Sequence, residues 1–127
     1  MAMNILLVDD SITVRAVVKK AIQLAEIPYD RIYQAGHGLE ALEIIGKEQV
    51  DLVISDIVMP EMDGEEMVTH MKEQGLLETI PVIIVSSAGG GQRLARLEEL
   101  GVSGFIHKPF TPEQIRETVD RVMEVNV

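Results

Sequence analysis

Four short apolar runs punctuate the chain, and each stops at polar residues. Ile5 to Val8 ends at Asp9-Asp10, Leu52 to Ile54 at Ser55-Asp56, Pro81 to Val85 at Ser86-Ser87, and Gly104 to His107 at Lys108-Pro109. None of the runs alternates apolar with polar positions, so each predicts a strand covered on both faces. A weaker run, Arg31 to Ala35, predicts one more strand, and Asp51 to Ser55 brackets the third in chain order. Helical spacing fills the intervals. Val14, Val17, Val18, Ala21 and Ala25 form a stripe that Pro28 closes, and Ser11 is placed to cap it. Leu39, Leu42 and Ile45 mark a short helix stopped near Gly46. Met67, Val68 and Met71 mark another from about Gly64 to Gln74, with Gly75 as its stop and Glu65 and Glu66 at its positive end. Leu94, Leu97 and Leu100 precede Gly101, and Gly89-Gly90-Gly91 breaks regular structure before them. Thr111-Pro112-Glu113-Gln114 reads as a cap, a first helical proline and a capping-box Gln, opening a helix with Ile115, Val119, Val122 and Met123 on its buried side.

Five β–α units in strict alternation predict a parallel sheet with helices on both faces and right-handed crossovers. The 127 residues show no linker, repeat or low-complexity stretch, so the expectation is one domain over 1–127. Aromatics make up only 3% of the chain, which leaves the core to Val, Ile, Leu, Met and Ala. Met59, Met62, Met67 and Met71 therefore read as packing. Cysteine is absent, which rules out disulfides and thiolate chemistry. No apolar run reaches the roughly 20 residues of a membrane span. Met1 to Asn4 carries no basic leader, and the expectation is a cytoplasmic protein. A net charge of −10 repels phosphate backbones, so no direct nucleic-acid binding is expected, and basic partners or cations are favoured. His37, His70 and His107 lack ligand spacing, which argues against a histidine metal site.

The strand ends carry the candidate chemistry. In a doubly wound sheet the carboxyl ends of the strands share one edge, where such folds place their sites. That edge would collect Asp9, Asp10 and Asp56, the Ser86 hydroxyl and the Lys108 ammonium. Three neighbouring carboxylates need a cation, and an all-oxygen set suits magnesium. Asp56 is then a candidate nucleophile that takes up a phosphoryl group, with Lys108 and Ser86 holding phosphoryl oxygens. From the residues alone, three readings compete: a phosphorylation-dependent signalling module, a small magnesium-dependent phosphohydrolase, and a phosphorylation-independent interaction module. Val58 stands where haloacid-dehalogenase-type hydrolases carry a second Asp, which argues against the hydrolase, and the intact acidic set with Lys108 argues against the third. A flavodoxin would need aromatics to hold its flavin.

These pieces, LLVDDS (6–11), SDIVMPEMDG (55–64), PVIIVSS (81–87) and GFIHKPF (104–110), resemble the receiver domain of two-component response regulators, most closely the single-domain CheY-like kind. The resemblance spans essentially the whole chain. It implies a flavodoxin-like doubly wound (βα)5 three-layer sandwich with strand order 2-1-3-4-5. It implies that Asp56 accepts a phosphoryl group from a sensor histidine kinase, with Asp9, Asp10, Asp56 and the backbone carbonyl of Val58 as magnesium ligands. Ser86 matches the switch hydroxyl, Lys108 the phosphate-binding lysine and Phe105 the switch aromatic, and the Lys108-Pro109 bond is expected to be cis. Activation would reshape the surface of the fourth helix, fifth strand and fifth helix for a downstream protein. The domain would phosphorylate and dephosphorylate itself without turning over a metabolite, as a monomer or weak homodimer. Chemotaxis is one expected setting.

Overall fold

The structure is a computed structural model, and it describes residues 2–87 and 91–125. The five predicted units are present: β1 (Met3–Val8), α1 (Ile12–Leu24), β2 (Tyr29–Ala35), α2 (Gly38–Lys47), β3 (Leu52–Ser55), α3 (Gly64–Glu73), β4 (Val82–Ser86), α4 (Gln92–Leu100), β5 (Gly104–His107) and α5 (Pro112–Val125). A 3-10 turn, Leu76–Glu78, joins α3 to β4. All strand pairs are parallel, in the order β2-β1-β3-β4-β5. The fold is therefore the flavodoxin-like (βα)5 sandwich.

The apolar strand runs are continuous because each strand feeds two cores. Successive side chains point to opposite faces of a sheet. Leu6, Val8, Val53, Val82 and Ile84 pack on one face with Ala41, Met67, Met71 and Leu97 from α2, α3 and α4. Ile5, Leu7, Leu52, Ile54, Ile83 and Val85 pack on the other with Ile22, Ile115 and Val119 from α1 and α5. Met59, Met62, Met67 and Met71 are all buried in the first core, so the reading of these methionines as packing holds.

The helix ends follow their local chemistry. Ser11 Oγ accepts from the Val14 amide at 3.2 Å. At α5, Thr111 Oγ1 accepts from the Gln114 amide at 3.2 Å, and Gln114 Oε1 accepts from the Thr111 amide at 2.8 Å, the reciprocal box that the sequence predicts.

Several expectations need correction. Val17 is 54% exposed, because the core-facing stripe of α1 narrows to Val18, Ala21 and Ile22. The helix ends at Leu24, before Pro28, and Glu26 turns the chain at φ 57. α2 does end near Gly46, at Lys47, although Gly46 itself is still helical and has open space where a side chain would be. Leu94 and Leu100 are only partly buried, leaving Leu97 as the buried anchor of α4. Gly89 and Gly90 lie outside the described residues, whereas Gly91 adopts φ 81 just before α4.

Candidate functional site

Main-chain bonds tie the carboxyl end of β3 to β1, that of β1 to β2, and that of β5 to β4. The Asp56 amide donates to the Val8 carbonyl at 3.0 Å, the Asp9 amide to Ala35 at 3.1 Å, and the Lys108 amide to Ser86 at 2.9 Å. These bonds continue the ladders by one residue, so Asp9, Asp56 and Lys108 leave the sheet edge at fixed positions. Lys108 Nζ then lies 3.6 Å from Asp9 Oδ2 and 3.5 Å from Asp56 Oδ2. One ammonium thus bridges two carboxylates that come from strands far apart in sequence.

The remaining carboxylate oxygens are also engaged. Asp9 Oδ1 accepts from the Ser11 amide at 2.9 Å, and Asp56 Oδ1 accepts from the Ile57 amide at 2.7 Å. Asp9 is buried, whereas Asp10 is exposed and in no ion pair among the described residues. Burial pushes the Asp9 carboxyl above the ordinary carboxylate range; the negative charges of Asp56 and Asp10 add to this, while the Ser11 amide and Lys108 oppose it.

The loop after Asp56 is held from two sides. The Gly64 amide donates to Ile57 O at 2.7 Å, and the Gly38 amide donates to Met62 O at 2.8 Å. A Cβ on Gly38 would lie 2.7 Å from Met62 Cγ, so the start of α2 is pressed against this loop. Val58 sits in the same loop, 64% exposed. Asp63 caps α3 by accepting from the Glu66 amide at 2.9 Å, and its other oxygen meets Arg93 of α4 at 3.4 Å.

Ser86 ends β4 and is buried, while Ser87 beside it is exposed. A cavity of about 40 Å³ is lined by Ser86, Phe105, Ile84, Leu94, Ile106 and His107. Phe105 is half-buried against the first core. The Lys108-Pro109 peptide is cis, as expected.

Sequence reasoning missed two contributors. His37 caps α2 by accepting from the Glu40 amide at 3.3 Å, a role for which only its place before Gly38 gave a signal. Arg15 reaches back from α1 to the Asp9 carbonyl at 3.1 Å, a contact that periodicity cannot reveal.

Among the described residues, no three His, Asp or Glu side chains converge as a ready-made metal cage. The donor set still fits magnesium, which typically takes one or two carboxylates and completes its shell with water and phosphate oxygens. Asp9 and Asp56 share one cation already, and their like charges leave room for another.

The comparisons agree with this geometry. Residues 5–120 match the response regulator receiver domain. A chemotaxis protein CheY homolog of Campylobacter jejuni is 36% identical over 122 residues, covering 95% of this chain and 92% of that protein. A two-component response regulator of rice, Oryza sativa subsp. japonica, is 36% identical over 123 residues, covering 96% and 90%. The solved chemotaxis response regulator CheY4 of Vibrio cholerae superposes with a TM-score of 0.83 at 32% identity, covering 96% of this chain and 99% of its own. The chain belongs to the response regulator receiver family. It is a signalling module of the CheY-like kind, and no helix among its described residues is long and apolar enough to cross a membrane.

Proposed function

We propose that the chain, as one receiver domain over 1–127, accepts a phosphoryl group on Asp56 from the phosphohistidine of a sensor kinase. The observation that carries this reading is the bridge of Lys108 Nζ to Asp9 and Asp56 at 3.6 and 3.5 Å. An Asp56 carboxylate beside a fixed ammonium is the arrangement that in-line attack on a phosphoryl group requires, because the charge on the transferred oxygens needs neutralising. Asp9, Asp10, Asp56 and the Val58 carbonyl would hold magnesium, which supplies that neutralisation when bound. Lys108 then turns from a carboxylate partner into a phosphoryl partner. No strong base is needed, since the attacking group is a carboxylate rather than a hydroxyl.

Phosphorylation adds up to two charges and three acceptor oxygens at the edge of the sheet. The Ser86 hydroxyl, at the end of β4, is the group that moves toward them. The cavity it shares with Phe105 supports an inward turn of that ring. The change emerges on the α4–β5–α5 surface, where a groove of about 400 Å³ is lined by Phe105, His107, Pro109, Gln114 and Glu117. A downstream protein docks there, and the phosphoryl group biases a two-state equilibrium. The Campylobacter and Vibrio relatives support a chemotactic output for a monomeric or weakly dimeric cytoplasmic protein that neither binds nucleic acid directly nor inserts into membranes.

The reading is tested by peptide mapping after incubation with acetyl phosphate, followed by borohydride reduction of the acyl phosphate. The expected result is reduction of Asp56 alone. Modification spread over several carboxylates, or none, would overturn it.

A further inference from the structure

Arg15 has no part in the chemistry above, yet it is bonded into the site. It lies in the first turn of α1 and is partly buried. Nη1 donates to the main-chain oxygen of Asp9 at 3.1 Å, and the Arg15 amide donates to the Ser11 carbonyl at 3.0 Å. The carbonyl that Nη1 holds belongs to the peptide plane that joins Asp9 to Asp10. Peptide planes are rigid, so holding that oxygen fixes the N–Cα bond from which the Asp10 side chain departs. Asp9 does not depend on this bond. Its amide is held by Ala35 and its carboxylate by Ser11 and Lys108. Asp10 is exposed and has no ion pair among the described residues, so its backbone is the support left to it.

Arg15 is also a poor choice for stability alone. Its Nε is buried without a hydrogen-bond partner among the described residues, which works against folding. It lines the same cavity, of about 10 Å³, as Asp9, Asp56 and Lys108. A side chain that stabilised only the helix would not need its guanidinium there.

We infer that Arg15 is a positioning residue for Asp10: by clamping the Asp9–Asp10 peptide plane it aims the Asp10 carboxylate, and so sets the affinity of the site for a divalent cation. The inference rests on the magnesium reading above and deepens it. Arg15 touches neither metal nor phosphoryl group; it acts through the carbonyl between two ligands, as supporting contacts at metal sites do.

The test is an NMR titration of the full chain with magnesium chloride, following the Ser11 and Ile57 amides. Arg15→Met keeps the apolar stem and removes the donors. It is expected to weaken magnesium binding about tenfold, the lower end for loss of a supporting contact, with little change in Tm. Arg15→Lys, with a single ammonium in place of the guanidinium fork, should recover part of the affinity. In an Asp10→Asn background, Arg15→Met should change affinity by less than about twofold, because a residue acting through Asp10 has nothing left to aim. Should Arg15→Met not fold, Arg15→Lys carries the same cycle with a smaller expected loss. Unchanged affinity in the Arg15 variants, or an undiminished loss in the Asp10→Asn background, would overturn the inference and leave the magnesium reading intact. No response of the wild type to magnesium would overturn both.

Discussion

Gly64 lies so close to Asp56 that a Cβ placed on it would meet the Asp56 carbonyl oxygen at 2.5 Å. The neighbour is backbone at the end of β3, which cannot rotate away. The first residue of α3 and the proposed phosphoacceptor are therefore packed main chain to main chain, and the Gly64 amide bond to Ile57 O at 2.7 Å closes the contact.

Gly64→Ala is expected to destabilise the protein. Alanine gains up to ~1 kcal/mol of helix propensity over glycine. A forced backbone shift costs about 1–3 kcal/mol, and here it wins because the clash is with a fixed carbonyl. Urea unfolding should show a lower midpoint, and acetyl phosphate labelling of Asp56 should slow. An unchanged midpoint would mean that the loop yields freely.

Asp9→Asn should stabilise the protein, and by more at neutral than at acidic pH. Burial and the neighbouring charges of Asp56 and Asp10 raise the Asp9 carboxyl above its ordinary value of 3.8. The folded state therefore holds the Asp9 proton to higher pH than the unfolded chain does. Stability contributed by this group falls as pH rises from about that ordinary value through the raised one. The Asn variant lacks this loss, so the Tm difference between variant and wild type should grow from pH 4 to pH 7. A difference that shrinks over that range would contradict the sign.

Lys108→Met should destabilise the fold while leaving it intact. The ammonium separates two carboxylates at 3.6 and 3.5 Å and is itself mostly buried. Its removal costs more than an exposed pair and less than a fully buried one, about 1–2 kcal/mol. Added Asp56→Asn should restore part of that loss, since the repulsion then disappears. Denaturant unfolding of the single and double variants reads this directly.

The two ends of the Asp63–Arg93 pair should behave differently. The pair is 3.4 Å apart and largely exposed, so Arg93→Ala should cost about 0.5 kcal/mol or less. Asp63→Ala also removes the cap on the Glu66 amide and should cost roughly 1 kcal/mol more. Equal losses would mean that the cap contributes nothing.

The sheet and its order were legible because strands covered on both faces must be apolar throughout, and because their ends break into charge. Thr111, Pro112 and Gln114 gave the start of α5 almost to the residue, since capping is chemistry among near neighbours. Gly46 marked the end of α2 to within one residue, because glycine costs a helix ~1 kcal/mol and the helix stops at Lys47. Val17 misled because helical spacing alone does not say how wide the buried stripe is. The convergence of Asp9, Asp56 and Lys108 was reachable only through the topology, as 52 residues separate Asp56 from its lysine. Arg15 was not reachable at all: a side chain turning back on its own helix start leaves no pattern in the sequence.

The account stands or falls on the acyl phosphate. Intact-mass spectrometry after incubation with acetyl phosphate, with and without magnesium, on the wild type and Asp56→Ala, measures it directly. The expected result is one phosphate adduct on the wild type that needs magnesium and is absent from the variant. A wild type that binds magnesium but takes up no phosphate would contradict the account and leave the chain a phosphorylation-independent interaction module.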